Sequence, residues 1–174
     1  MTRDFQPTLQ DETLTLRPLA AADWHALYAV ASDPLVWAIH PAHDRWQAPV
    51  FRRFFDEAMA SGGALVAIDR ASGAIIGSSR YDLTWCEPGE VEIGWTFLAR
   101  GHWGGTTNRA MKRLMVGHAL KSFDAVIFRI GETNLRSRRA MEKIGGRLTD
   151  RRQIADMGGR QVVHLIYMIE APLA

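Results

Sequence analysis

The 174-residue sequence has a single cysteine, Cys86. One thiol excludes an internal disulfide framework and suits a reducing compartment. No stretch approaches the ~20 apolar residues that a bilayer span requires. The opening MTRDFQPTLQDETLTL has no apolar core of signal-peptide length. A cytoplasmic location without a membrane partner is the expectation. There is little excess charge of either sign: 21 Lys and Arg stand against 19 Asp and Glu. The pI of about 9.0 therefore reflects a small imbalance and argues only weakly for nucleic acid. Internal repeats, low-complexity tracts and dividing linkers are missing, which predicts one domain over residues 1–174. Also missing are the P-loop pattern and a GxGxxG after the first strand, so nucleotide hydrolysis and hydride transfer both lose ground. The His-x-x-His spacing of His40 and His43 has no third ligand beside it, and no metal is expected.

Hydrophobic residues make up 47% of the chain and charged ones 23%, the balance of a globular protein. Leu14 and Leu16 alternate in a strand over 13–17, and Trp24, Leu27, Tyr28 and Ala31 recur at helical spacing until Asp33-Pro34. Phe51, Phe54, Phe55 and Met59 mark a helix over 48–60, ended by Gly62-Gly63. Strands over 64–69, 74–83 and 90–98 then read as an antiparallel meander. A helix carrying Met111, Leu114, Met115 and His118 is followed by a strand over 124–130 and a helix over 134–144. A return strand from Arg147 pairs with a last strand over 161–169 across a turn at 156–160. The whole predicts a mixed α/β (α+β) fold, with about seven mostly antiparallel strands and about four helices. The last strand is also a candidate edge for pairing in a homodimer.

The stretch RGHWGGTTNRAMKRLM, residues 100–115, puts glycines and hydroxyls where a strand hands over to a helix. Backbone N–H groups of a first helical turn lack intrahelical partners and lie at the positive end of the helix dipole, which suits a phosphate. Thr106, Thr107 or Asn108 could equally just cap the helix. Together, VEIGWTFLARGHWGGTTNRAMKRLM and DAVIFRIGETNLRSRRAMEKIGGRL resemble the GNAT superfamily of acyl-CoA-dependent N-acyltransferases, in the RimJ/RimL-type branch, from about Leu14 to Ile169. The resemblance implies the GNAT fold, and acetyl-CoA held by Phe97, Leu98, Arg100, Trp103, Gly104, Gly105, Thr106, Thr107, Asn108 and Arg109. Trp103 and Gly104 match the family's glycine pattern; Thr106, Asn108 and Ala110 depart from it. It further implies Asn134 on the pantetheine arm, Ser137 near the thioester sulfur, and Arg139 and Lys143 toward the 3′-phosphate. On the residues alone, Asn134 reads as an N-cap.

Acetyl transfer to an amine needs a base and an acid. By alternation Val91, Ile93, Trp95 and Phe97 share one face of their strand, with Glu92 on the other. Glu92 is the candidate base, by resemblance to the histone acetyltransferase branch. Ser137 is the candidate acid, with Tyr81 and Tyr167 in reserve. WAIHPAHDRWQAP, residues 37–49, is too aromatic for a plain connector, so Trp37, His40 and Arg45, with Tyr81, Glu92 and Trp95, are expected around the acceptor. The predicted activity is direct acetyl transfer to a protein N-terminus or a small amine. A non-catalytic acyl-CoA sensor is the alternative, and a nucleic-acid module using Arg136, Arg138, Arg139, Arg147, Arg151 and Arg152 has no groove-reading motif to support it.

Overall fold

The computed structural model describes residues 3–157 and 159–173. Its elements run β1 (Leu9–Gln10), β2 (Leu14–Pro18), α1 (Trp24–Ala31), α2 (Pro34–Trp37), α3 (Ala48–Ser61), β3 (Ala64–Asp69), β4 (Ile75–Asp82), β5 (Glu90–Leu98), α4 (Thr107–Ala119), β6 (Ala125–Gly131), α5 (Leu135–Lys143), β7 (Arg147–Met157) and β8 (Arg160–Ile169). The described strands form one eight-stranded sheet in the order β1-β2-β3-β4-β5-β6-β8-β7. Neighbours are antiparallel except β5 and β6. The eighth strand is the two-residue β1, too short to leave a periodic signal. Asp33-Pro34 starts a helical turn as well as stopping one, because the Asp33 side chain caps Leu35 N and Pro34 suits the first position. The last strand is no edge. β8 lies between β6 and β7, so β7 is the outer strand and the expected pairing surface is taken.

Each face of the sheet carries an apolar layer. On one, α4 lays Met111, Met115, Val116 and Ala119 against Val91, Ile93, Val126 and Phe128. On the other, Leu27 and Ala31 of α1 and Phe51, Phe54 and Phe55 of α3 meet Val66 and Phe97. Burying each such side chain fully is worth ~1.5–3 kcal/mol, so these faces fix the helices. β5 contributes to both layers out of simple alternation. Trp95 and Thr96 stand opposite Ser79 alone, a bulge at which Trp95 takes φ 51°. Val91 and Ile93 therefore face α4 while Trp95 and Phe97 face the α1–α3 side, contrary to the expected common face. Thr96 turns toward α4, where it meets Lys112.

Candidate active site

β5 and β6 pair only from Glu90–Glu92 to Ala125–Ile127. Beyond that point β5 stays on β4 as far as Leu98, and β6 stays on β8 as far as Gly131. Each strand is thus held on its outer side while the parallel neighbours part. The gap is a cavity of about 240 Å³. Its walls are residues 93–98 of β5, 128–131 of β6, Asn108 and Lys112 of α4, Ser137, Ala140 and Met141 of α5, and His164 of β8. His40, Pro41, His102, Trp103, Gly104, Asn134 and Arg136 complete it.

At one end lies the glycine turn. The Trp103 indole donates to Leu98 O at 2.9 Å, and the Arg136 guanidinium lies 3.8 Å from the ring centre. Gly104 has φ +71°, which a side chain would resist. The Thr106 side chain makes no cap bond at the start of α4, so the N-terminal end of that helix meets the turn with its positive pole. At α5 the Asn134 side chain accepts from Ser137 N at 3.3 Å, placing a buried amide and a hydroxyl side by side on the wall.

Of the residues expected around the acyl donor, Phe97, Leu98, Trp103, Gly104, Asn108, Asn134 and Ser137 line the cavity. Gly105, Thr106, Thr107 and Arg109 flank it on the turn and the start of α4, off the wall. Arg100 is paired with Asp33, and Arg139 and Lys143 are exposed on α5 away from the wall.

Of the acceptor set, His40 and Trp95 reach the cavity. Trp37 does not: it is 1% exposed, and its indole donates to Ala31 O within the helical layer. Arg45 stacks 4.7 Å from the Phe54 ring centre, and burial lowers its pKa to about 10. Tyr81 is a core residue whose hydroxyl donates to Met115 O. Tyr167, the other reserve acid, is fully buried and donates to Glu142. Three of the arginines considered for nucleic acid are internally engaged: Arg138 of α5 with Tyr167 and Glu132 O, and Arg147 and Arg151 of β7 with Glu170 and with Glu87 and Glu90. Burial pushes the Cys86 thiol up to about 12, which keeps it a poor nucleophile.

Glu92 stands where the strands begin to part, but it is not on the cavity wall. It is 2% exposed, and both carboxylate oxygens accept from Arg129 Nε at 2.9 Å. Burial pushes its pKa up and Arg129 pushes it back. Glu92, expected as a base acting through water, stands behind the wall and is bound to Arg129, which is on it. The described wall carries no carboxylate. Its titratable groups are His40, His102, Lys112, Arg129, Arg136 and His164. Burial first, then the charge of Arg45, lowers the His40 pKa to about 3, so this ring is neutral.

Sequence reasoning missed Lys112. It lies 4% exposed on the cavity wall, donating to Thr96 Oγ1 at 2.7 Å. Its only sequence signal is a cation directly beside Met111 and three residues before Met115, inside an apolar stripe.

Parallel strands thus part over a cavity, and a glycine turn enters a helix beside it. The chain belongs to the acetyltransferase (GNAT) domain family, whose model matches residues 13–147. It is an acyltransferase of a family that uses acetyl-CoA. A GCN5-related N-acetyltransferase from Brucella melitensis superposes with a TM-score of 0.81 at 19% identity, covering 95% of this chain and 79% of that one. A probable GNAT acetyltransferase from Chromobacterium violaceum gives 0.82 at 18% identity, covering 94% and 85%. Mycobacterium smegmatis RimJ, solved with CoA-disulfide, gives 0.68 at 16% identity, covering 95% and 86%. No curated protein sequence matches the chain significantly.

Proposed function

We propose that the chain moves the acetyl group of acetyl-CoA onto a primary amine by direct transfer in a ternary complex. The observation that carries this is the parting of β5 and β6. It frees the facing backbone edges of two strands inside a cavity, and an extended amide-bearing arm can pair with them. The start of α4 and Gly104 suit the pyrophosphate, and Asn134 and Ser137 at the start of α5 suit the arm and the sulfur. A thioester is already activated, so alignment of donor and amine supplies much of the rate.

Ser137 would donate its hydroxyl proton toward the departing sulfur. Glu92 would act by holding Arg129 toward the acceptor, with His40 and Trp95 beside it. The described wall carries cations and no carboxylate, which favours an amine bearing an anionic or carbonyl group over a polyamine. The chain would work without metal, membrane or nucleic acid.

The test is acetyl transfer, read by mass spectrometry, to a panel of N-terminal peptides, amino acids and polyamines, with initial rates at varied donor and acceptor. Intersecting reciprocal plots are expected; parallel plots, or an acetylated protein without acceptor, would contradict direct transfer. Ser137→Ala is expected to lower kcat by ~10–100-fold. Its Kd for acetyl-CoA, measured by calorimetry, should stay within about threefold.

A further inference from the structure

The group that the acetyl-transfer reading leaves unused is the buried amine of Lys112. It projects from α4 onto the cavity wall, 5.4 Å from the Phe128 ring centre, and its one hydrogen-bond partner among the described residues is Thr96 Oγ1. That hydroxyl is already tied to Ser79 Oγ at 2.8 Å. The bulge at Trp95 creates this arrangement, because it turns Thr96 toward α4.

Hydrogen-bond accounting then separates the two states of the amine. A protonated Lys112 would present three N–H donors to one hydrogen-bond acceptor and the face of Phe128, with no carboxylate among the described wall residues. A neutral one has two N–H donors, places one on Thr96, and keeps a lone pair that no donor among the described residues occupies. The other titratable groups on this cavity are His40 and His102 from the loops, Arg129 of β6, Arg136 of α5 and His164 of β8; Glu92 stands behind Arg129. Burial alone lowers the Lys112 pKa to about 7. An amine in that range exchanges protons readily at neutral pH.

We infer that Lys112 is the proton acceptor of the transfer reaction, a catalytic residue whose neutral Nζ faces the reacting atoms from the α4 side of the cavity. The inference rests on the acetyl-transfer reading. As the acceptor nitrogen bonds to the carbonyl carbon and the carbon–sulfur bond breaks, Lys112 Nζ takes the proton that the nitrogen sheds. The Ser137 hydroxyl gives its proton to the sulfur and recovers one from the Lys112 ammonium. Amide and free thiol leave, and both side chains return to their starting state.

The first test needs no ligand: NMR titration of Lys112, assigned with Lys112→Met, in the acetyl-CoA-free protein. Titration near neutrality is expected, and titration above about 10 would overturn the proposal. Stability gives a second reading. Unfolded, the lysine holds its proton up to about 10.5; folded, it gives it up near 7. Between those values the unfolded chain binds more protons, so folded stability rises with pH. Lys112→Met should therefore raise Tm at pH 6, by a margin that shrinks toward pH 10.

In the enzyme assay, Lys112→Met and Lys112→Arg, which keeps the cation but accepts no proton, should both lose ~100-fold or more in kcat. Both should lose the rate increase through pH 7 and keep the Kd for acetyl-CoA within about threefold. Retention of kcat in either folded variant would overturn the role. A wild type that transfers to no amine contradicts the acetyl-transfer reading instead. In that case the catalytic role falls with the reading, and the titration reports only whether the buried amine is neutral: near neutrality if so, above about 10 if not.

Discussion

Arg129→Met is expected to destabilise the fold by ~3–5 kcal/mol, the cost of leaving a buried charge without its partner. Glu92 is 2% exposed and accepts from Arg129 at both oxygens, while the Arg129 side chain is 12% exposed and has Gln153 as a second partner. The asymmetry predicts that Glu92→Gln costs less than Arg129→Met, and that the double variant recovers much of the loss. The pH dependence has a definite sign. Burial already holds the Glu92 pKa above its ordinary 4.5, and removing Arg129 removes the largest opposing influence. Over the window between 4.5 and its folded value, the folded state keeps a proton that the unfolded state releases. Stability is therefore greatest at acid pH and falls as pH rises, by at most ~1.4 kcal/mol per pH unit. Urea denaturation of the four proteins at pH 5 and pH 8 reads this directly. An Arg129→Met variant within 1 kcal/mol of wild type at pH 8 would refute the buried pair as a structural fastening.

The second large effect lies at Gly77. A Cβ there would sit 2.1 Å from the Phe97 carbonyl oxygen and 2.9 Å from Leu98 Cδ2. The first of these is backbone and cannot swing aside, so β4 and β5 must shift just where Phe97 and Leu98 line the cavity. Gly77→Ala should cost ~3 kcal/mol, at the upper end for overpacking. The control is Gly104→Ala, where nothing lies within 4 Å and only φ +71° resists, a cost of ~1 kcal/mol. Equal losses in the two variants, measured by chemical denaturation, would show that the close approach at Gly77 is not what the glycine serves.

Much of this architecture is legible in the sequence because period and punctuation agree. Phe51, Phe54 and Phe55 at helical spacing, ended by Gly62 at φ +67°, produce α3 as expected. The glycine turn and Asn134 stand out in the sequence, and Gly104 and Asn134 both line the cavity. The bulge at Trp95 is different: nothing in VEIGWTFL announces an extra residue, and alternation continued past Gly94 puts Trp95 and Thr96 on the wrong faces. The same break hides Lys112. A lysine in a helix reads as a solvated position, and only the parted strands above α4 leave a polar gap that accepts a buried amine. Trp37 and Tyr81 mislead in the opposite sense. Aromatics near a loop and a site suggest recognition, while here their polar atoms are spent on Ala31 O and Met115 O inside the core. Partner choice of that kind depends on tertiary distance, which spacing along the chain does not encode.

The account stands or falls on an acyl-CoA site between β5 and β6, and isothermal titration of acetyl-CoA tests it most directly. Wild type should bind with a Kd of roughly micromolar strength, about −8 kcal/mol, and give no heat with ATP. Gly104→Pro, whose ring fixes φ near −65° where the turn needs +71°, should lose binding by ~100-fold or more while remaining folded. A folded wild type that gives no heat with acetyl-CoA would contradict the site, and with it the proposed chemistry.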